Sequence, residues 1–201
     1  MKRAITIGLM IIIFVFTLSG TTLAEEKKKS SWYIGFGLGT GSLEIEGETV
    51  DDAYGDDPNI DVGTELTFHF GVGAIINPKL HLGFDVSAIR QEVDSNTSSD
   101  SESYQINNYF AALSYYPWTK GLFIKIGGGL SNLVYEYDSG YYDDSETFDG
   151  TGYLVGLGYD FWLGKSFNLG VHAEYSKQSY SDSDGPEDTE FTSIYLSFSW
   201  F

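Results

Sequence analysis

The chain has 201 residues, 29 of them acidic and 11 Lys or Arg, for a formal net charge of -18, and it contains no cysteine. That balance excludes nucleic acid as a partner, because phosphate backbones demand clustered Lys and Arg. The lack of cysteine excludes disulfide staples, thiol chemistry and a cysteine-anchored lipoprotein, and the length fits one domain rather than two.

Lys2 and Arg3 precede an apolar stretch from Ala4 to Leu18, followed by Gly20, Thr22 and Ala24. This order predicts a signal peptide over residues 1–24, cleaved after Ala24. The stretch is shorter than the roughly 20 residues a membrane-spanning helix needs. Residues 25–31 are then a short N-terminal segment and 32–201 the folded domain.

From Trp32 onward the dominant signal is alternation, the pattern of strands with two unlike faces. Eight runs carry it. Trp32, Ile34, Phe36 and Leu38 alternate with glycines. Val62, Leu66, Phe68, Phe70 and Val72 alternate with Glu65, His69 and more glycine. Leu80, Leu82, Phe84 and Val86 oppose His81 and Asp85. The fourth run, Tyr104 to Tyr116, is ambiguous, and Tyr109, Ala111, Leu113 and Tyr115 are the better apolar face. In the fifth, Leu122, Ile124, Ile126 and Leu130 oppose Phe123, Lys125, Gly127 and Gly129. Tyr153, Val155, Leu157, Tyr159 and Phe161 oppose Gly156, Gly158 and Asp160. Phe167, Leu169, Val171, Ala173 and Tyr175 oppose His172 and Glu174. Ile194, Leu196, Phe198 and Trp200 oppose Tyr195, Ser197 and Ser199.

Short connections at 76–79, 117–121 and 164–166 alternate with long ones near 44–61, 92–103, 136–150 and 179–190, which predicts an up-and-down meander with the short turns at one end. The long connections hold 23 of the 29 acidic residues and, over 44–61, 92–103, 136–149 and 180–190, no Lys or Arg. Lys27, Lys28, Lys29, Lys79, Lys120 and Lys165 gather at the other end.

The apolar face is expected to point outward, into lipid. Gly and Ser cannot fill a water-soluble core at native density, and the other face carries isolated charges of both signs. Trp32, Tyr115, Trp118, Tyr135, Phe161, Trp162 and Trp200 lie near strand ends, where aromatic girdles sit. In lipid no backbone group can be left unpaired, so the strands must close on themselves. The expected fold is all-β, an eight-stranded antiparallel up-and-down transmembrane β-barrel.

"WYIGFGLG" (32–39), "SYYPWTKGLFIKIGGGL" (114–130) and the closing "IYLSFSWF" (194–201) resemble the small outer-membrane β-barrel family of the OmpA and OmpX type, over nearly all of 32–201. The resemblance implies a bacterial outer-membrane location, periplasmic chaperones, and a last strand whose end is read by the barrel-assembly machinery. Phe198, Trp200 and Phe201 carry that signal here, although Phe201 is out of phase with the other two.

An eight-stranded barrel is only wide enough for its own side chains, so the inward residues form an interior polar network: Lys125, Asp160, Glu65, Asp85, Glu174, His69, His81 and His172. A desolvated ammonium needs a partner, and Asp160, on the neighbouring strand, is the expected one, with Gly127 and Gly129 providing room. The network reads as a structural plug rather than a gated path. The histidines come from separate strands without metal-ligand spacing, so hydrogen-bonded interior rings are expected, with no metal and no cofactor. No histidine occurs in a long loop, which argues against an enzyme.

"DDAYGDD" (51–57), "YYDDSETFD" (141–149) and "SDSDGPED" (181–188) are expected to be solvated surface; their oxygens could bridge divalent cations to lipopolysaccharide phosphates, without calcium-loop spacing. The predicted role is a non-enzymatic outer-membrane barrel contributing to envelope integrity. The alternatives are a narrow or laterally opening channel for small or apolar solutes, and a loop-mediated adhesin.

Overall fold

The computed structural model describes residues 32–54, 59–98, 100–118, 121–139, 142–163, 166–181 and 185–201. The signal peptide, the segment 25–31 with its lysines, and Lys120 and Lys165 lie outside the described residues. Ten strands and one short helix follow in order: β1 Trp32–Ile45, β2 Glu48–Thr49, α1 Val50–Tyr54, β3 Ile60–Val62, β4 Leu66–Asn77, β5 Leu80–Ser95, β6 Ser101–Tyr115, β7 Leu122–Asp138, β8 Asp143–Trp162, β9 Phe167–Tyr180 and β10 Asp188–Trp200.

Eight of the strands pair antiparallel with their sequence neighbours in the order β1, β4, β5, β6, β7, β8, β9, β10, and β10 returns to β1 from Ile34↔Trp200 to Ile45↔Thr189. The sheet is therefore a closed barrel. The two small strands decorate it: β2 pairs with the end of β1 and β3 with the end of β5.

Side-chain burial is inverted relative to a water-soluble barrel. Leu130 is 64% exposed, Leu157 58% and Leu38 56%, while Asn108 and Gln178 are fully buried. Tyr109, Ala111 and Tyr115 are exposed and Phe110, Ala112 and Ser114 buried, so the apolar outer face of the ambiguous fourth run is the expected one. An exposed apolar belt with a polar interior is the arrangement a lipid environment requires.

Several expectations change. The second run does not extend to Val62. The chain breaks at Gly63–Glu65, Val62 pairs with Val93 in β3, and the Gly63 N–H donates to the Glu92 carbonyl at 2.8 Å. The long connections are largely strand, since β5, β7 and β8 run on to Ser95, Asp138 and from Asp143. Two aromatics counted as girdle residues face inward. Tyr135 packs on Tyr104 (centroids 5.2 Å), and Trp162 packs on Phe201 (5.0 Å) at the short-turn mouth. Trp32, Tyr115, Trp118 and Trp200 are exposed at the short-turn end as expected.

Inside the long-loop half sits an apolar cluster of Leu43, Val50, Ile89, Val93, Ile106, Leu133, Phe148, Tyr180 and Phe191. α1 supplies Val50 to it, and Thr49 caps the helix by accepting from the Asp52 N–H at 3.0 Å. Across the lumen this cluster forms a hydrophobic stopper.

Candidate functional site

Below the stopper the lumen turns polar and then ionic. The polar layer links Gln178 to Asn108 (3.2 Å), Ser176 (2.7 Å) and Thr189 (3.0 Å), and Asn108 to Ser87 (3.3 Å). These amides are fully buried on inward positions of β6 and β9; each polar atom enclosed there needs such a partner.

The ionic layer is built around Lys125. Its Nζ donates to Asp85 Oδ2 at 2.8 Å and Glu174 Oε1 at 2.5 Å, with Tyr195 Oη at 3.4 Å. Tyr195 also donates to the Glu174 carboxylate. Asp160, the partner expected from the sequence, is engaged elsewhere: Tyr116 donates to its Oδ2 at 2.9 Å, and His172 Nε2 lies 3.0 Å from its Oδ1.

Register explains the correction. Residues in one hydrogen-bonded row run Ser114, Lys125, Gly156, Glu174, Ser193 across β6 to β10. Lys125 therefore faces Gly156, and Asp160 lies four residues away on β8, about 13 Å along the strand. Gly156 is the gap through which the lysine reaches the next strand: a Cβ there would lie 2.8 Å from Glu174 Cγ. Gly127 and Gly129 serve other neighbours. A Cβ on Gly127 would press to 3.2 Å from Leu154 Cγ. Strand tilt in a closed barrel offsets register between strands, which lets Asp85, two strands away on β5, approach from the other side.

The remaining predicted residues divide. His69 is stacked on Tyr195, with centroids 3.6 Å apart and planes at 11°, and its Nδ1 lies 3.7 Å from Glu174 Oε2. His81 belongs to the short-turn mouth, against Tyr116 (4.6 Å), Tyr33 (5.6 Å) and Phe201 (6.1 Å). Glu65 is not in the ionic layer. It sits above β4 and accepts from Gln91 Nε2 at 3.2 Å, where burial, and Asp51 beyond, push its carboxyl above the usual range.

Tyr116 and Tyr195 were the members that sequence reasoning missed. Tyr195 stands in phase with Ser193, Ser197 and Ser199 on the inner face of β10, and an aromatic hydroxyl among serines was the available signal.

A cavity of about 50 Å³ connects this layer to the short-turn end, where Tyr33, Ser199 and Phe201 line it. Trp200 and Phe201 have parted company. Trp200 faces outward beside Phe36 and Phe167 (6.2 and 5.1 Å), while the Phe201 ring turns into the mouth and its N–H donates to the Ser166 carbonyl at 3.1 Å.

On the outer wall, above the apolar belt, two cations stand four barrel strands apart. Arg90 meets Glu92 at 3.0 Å and Glu136 at 3.5 Å. Lys177 meets Asp188 at 2.9 Å and Glu190 at 3.0 Å.

The sequence matches the outer membrane protein beta-barrel domain family over residues 10–200. The chain belongs to this family. Its members' fold, a β-barrel of the outer membrane, is the fold described above. Among solved structures it is similar to Ail, the attachment invasion locus protein of Yersinia pestis, in complex with the heparin analogue sucrose octasulfate: TM-score 0.60, 11% identity, 86% of this chain and 99% of that one. It is also similar to Neisserial surface protein A, with TM-score 0.55, 14% identity, and 87% and 99% coverage. Identities this low describe the shared fold. No curated protein matches the chain.

Proposed function

We propose that this outer-membrane barrel is a non-enzymatic, non-conducting structural protein of the envelope, with its short turns toward the periplasm and its acidic sheet and loops outside. The observation that carries the reading is the succession of layers along the lumen, in which an apolar stopper closes the long-loop end above the amide layer, the ion cluster and the aromatic mouth. At the stopper the lumen is occupied by Leu43, Ile89, Ile106 and Leu133, all 2% exposed or less. Recorded in planar bilayers, the protein should give no steady single-channel conductance, and its deletion should raise sensitivity to detergent. Discrete conductance steps that vanish with the protein would replace the structural role by a channel.

The wall above the belt supports contact with lipid headgroups. Glu92, Asp94, Glu136 and Asp138 face outward on β5 and β7 beyond the last apolar positions, and anionic side chains reach anionic lipopolysaccharide phosphates only through divalent cations. Millimolar Ca²⁺ should raise the unfolding temperature in lipopolysaccharide-containing bilayers; an unchanged temperature discards that contact. Ail was solved with a sulfated saccharide analogue. The acidic exterior here repels such a polyanion, so adhesion of that chemistry is not carried over.

In biogenesis, cleavage after Ala24, periplasmic chaperones and the barrel-assembly machinery complete the reading. Phe198 and Trp200 share the outward phase of β10 and supply the assembly signal, while Phe201 closes the mouth. Trp200→Ala should impair assembly more than Phe201→Ala, measured as the heat-modifiable folded fraction.

A further inference from the structure

His69 is the unexplained member of the ion cluster. It is 4% exposed, yet neither of its ring nitrogens has a hydrogen-bond partner among the described residues. A buried imidazole without partners is costly, and each such group asks for a reason. Phe would fill the stack on Tyr195 without bringing enclosed polar atoms.

The ring is aimed at oxygens. Donor atoms of His69, Asp85 and Glu174 all lie within 4.8 Å of one another. Glu174 divides its carboxylate: Oε1 receives Lys125 and Tyr195, and Oε2 points toward His69 Nδ1 at 3.7 Å. Two donors on one tetrahedral ion, each about 2.0–2.1 Å from it, stand about 3.3 Å apart. A small inward movement of His69 therefore gives that spacing, and the Lys125 contact to the other oxygen survives.

We propose that His69, Asp85 and Glu174 form a binding site for a divalent transition metal of the Zn²⁺ class, entered from the periplasmic mouth. One imidazole with two carboxylates selects Zn²⁺, Co²⁺ or Ni²⁺ over Ca²⁺ and Mg²⁺, which prefer oxygen alone. The cavity joining the ion cluster to Tyr33, Ser199 and Phe201 is the path of entry. Lys125 acts on the site in two ways. It orients Glu174 as an outer hydrogen-bond donor, and its positive charge opposes the incoming dication, holding the affinity down. The ligands come from β4, β5 and β9, so no local sequence spacing announces the site. The proposal takes only the barrel's orientation from the proposed function and does not depend on the envelope role.

The test uses the full protein extracted in detergent and stripped with chelator, titrated with Zn²⁺ by calorimetry and with Co²⁺ by visible absorption. Wild type should take up one saturable ion that millimolar Ca²⁺ does not displace. His69→Gln should weaken it by at least about tenfold and change the Co²⁺ spectrum. Lys125→Met should tighten it by at least about tenfold, with Zn²⁺ raising its unfolding temperature. Uptake unaffected by His69→Gln, displacement by Ca²⁺, or binding by Lys125→Met with a silent wild type each overturns the site; the last result makes the ammonium its permanent cation. If Lys125→Met fails to fold, the comparison of wild type with His69→Gln decides alone.

Discussion

The two halves of the barrel solve opposite problems with the same eight strands. In the short-turn half the wall faces lipid and the lumen is ionic; in the long-loop half the wall is charged and the lumen is apolar. β5 shows the change along one strand. Its outward residues run Leu82, Phe84, Val86, Ala88 and then Arg90, Glu92, Asp94, while its inward ones run His81, Asp85, Ser87 and then Ile89, Gln91, Val93. β7 repeats it, from Ile124 and Ile126 outward to Glu136 and Asp138, and from Lys125 and Ser131 inward to Leu133 and Tyr135. The backbone never changes face; the solvent outside it does. Where hydrocarbon ends, the driving force for burying apolar area moves from the wall to the axis, and the upper half packs like a water-soluble protein.

The largest test of this contrast is at its ionic centre. Lys125→Met leaves Asp85 and Glu174 enclosed without their cation, a defect of the kind that costs about 3–5 kcal/mol. Urea unfolding from liposomes should show that loss without any gain of conductance. A loss below about 1 kcal/mol would mean that water enters the lower lumen freely. In the upper half, Leu133→Ala opens a hole in the stopper and should cost about 2–4 kcal/mol by the same measurement. Two positions on the outer face of β7 sharpen the contrast further. Ile126→Arg places a charge in the lipid belt, at about 2–4 kcal/mol. Val134→Arg, on the same outward face but above the belt, should stay within about 0.5 kcal/mol. Equal effects at Ile126 and Val134 would place the membrane boundary wrongly.

The same inversion explains what could be read from the sequence. The lipid-facing segments were legible because one face is apolar and the other Gly, Ser or isolated charge; the strand count, closure and inward set follow from that. Above the belt apolar and polar residues exchange faces within one strand, so the alternation loses its phase. Stretches such as Glu136 to Asp138 then read as loop, although Tyr135 and Tyr137 alternate regularly. Of the ion cluster, Lys125, Asp85, Glu174 and His69 were legible as inward residues, whereas the inclusion of Tyr195, the exclusion of Glu65 and the pairing were not. Lys125 and Asp160 are on adjacent strands and at similar distances from a turn, but the partner was decided by the row through Gly156 and by strand tilt. Neither quantity is printed in the sequence of a single strand.

The cap over the stopper gives the smallest effect, and its sign is set by Tyr54. This α1 residue donates to Glu102 Oε2 at 3.1 Å and shares a 3.1 Å hydrogen bond with the Tyr104 hydroxyl. Burial, with the Glu102 charge adding to it, raises the Tyr54 hydroxyl above its ordinary value of 10.0, against a smaller opposing effect of the Tyr104 bond. The folded protein thus holds this proton more tightly than the unfolded chain does. Its contribution is complete below the ordinary tyrosine value and is lost as pH rises through the folded one. Amide exchange over Val50–Tyr54 should therefore accelerate above about pH 10, beyond the intrinsic base-catalysed rise seen in strands around the ionic layer. Tyr54→Phe should remove that extra acceleration. An identical pH profile in the variant would assign the cap to Val50 packing alone, with the Tyr54, Tyr104 and Glu102 bonds a passive surface feature.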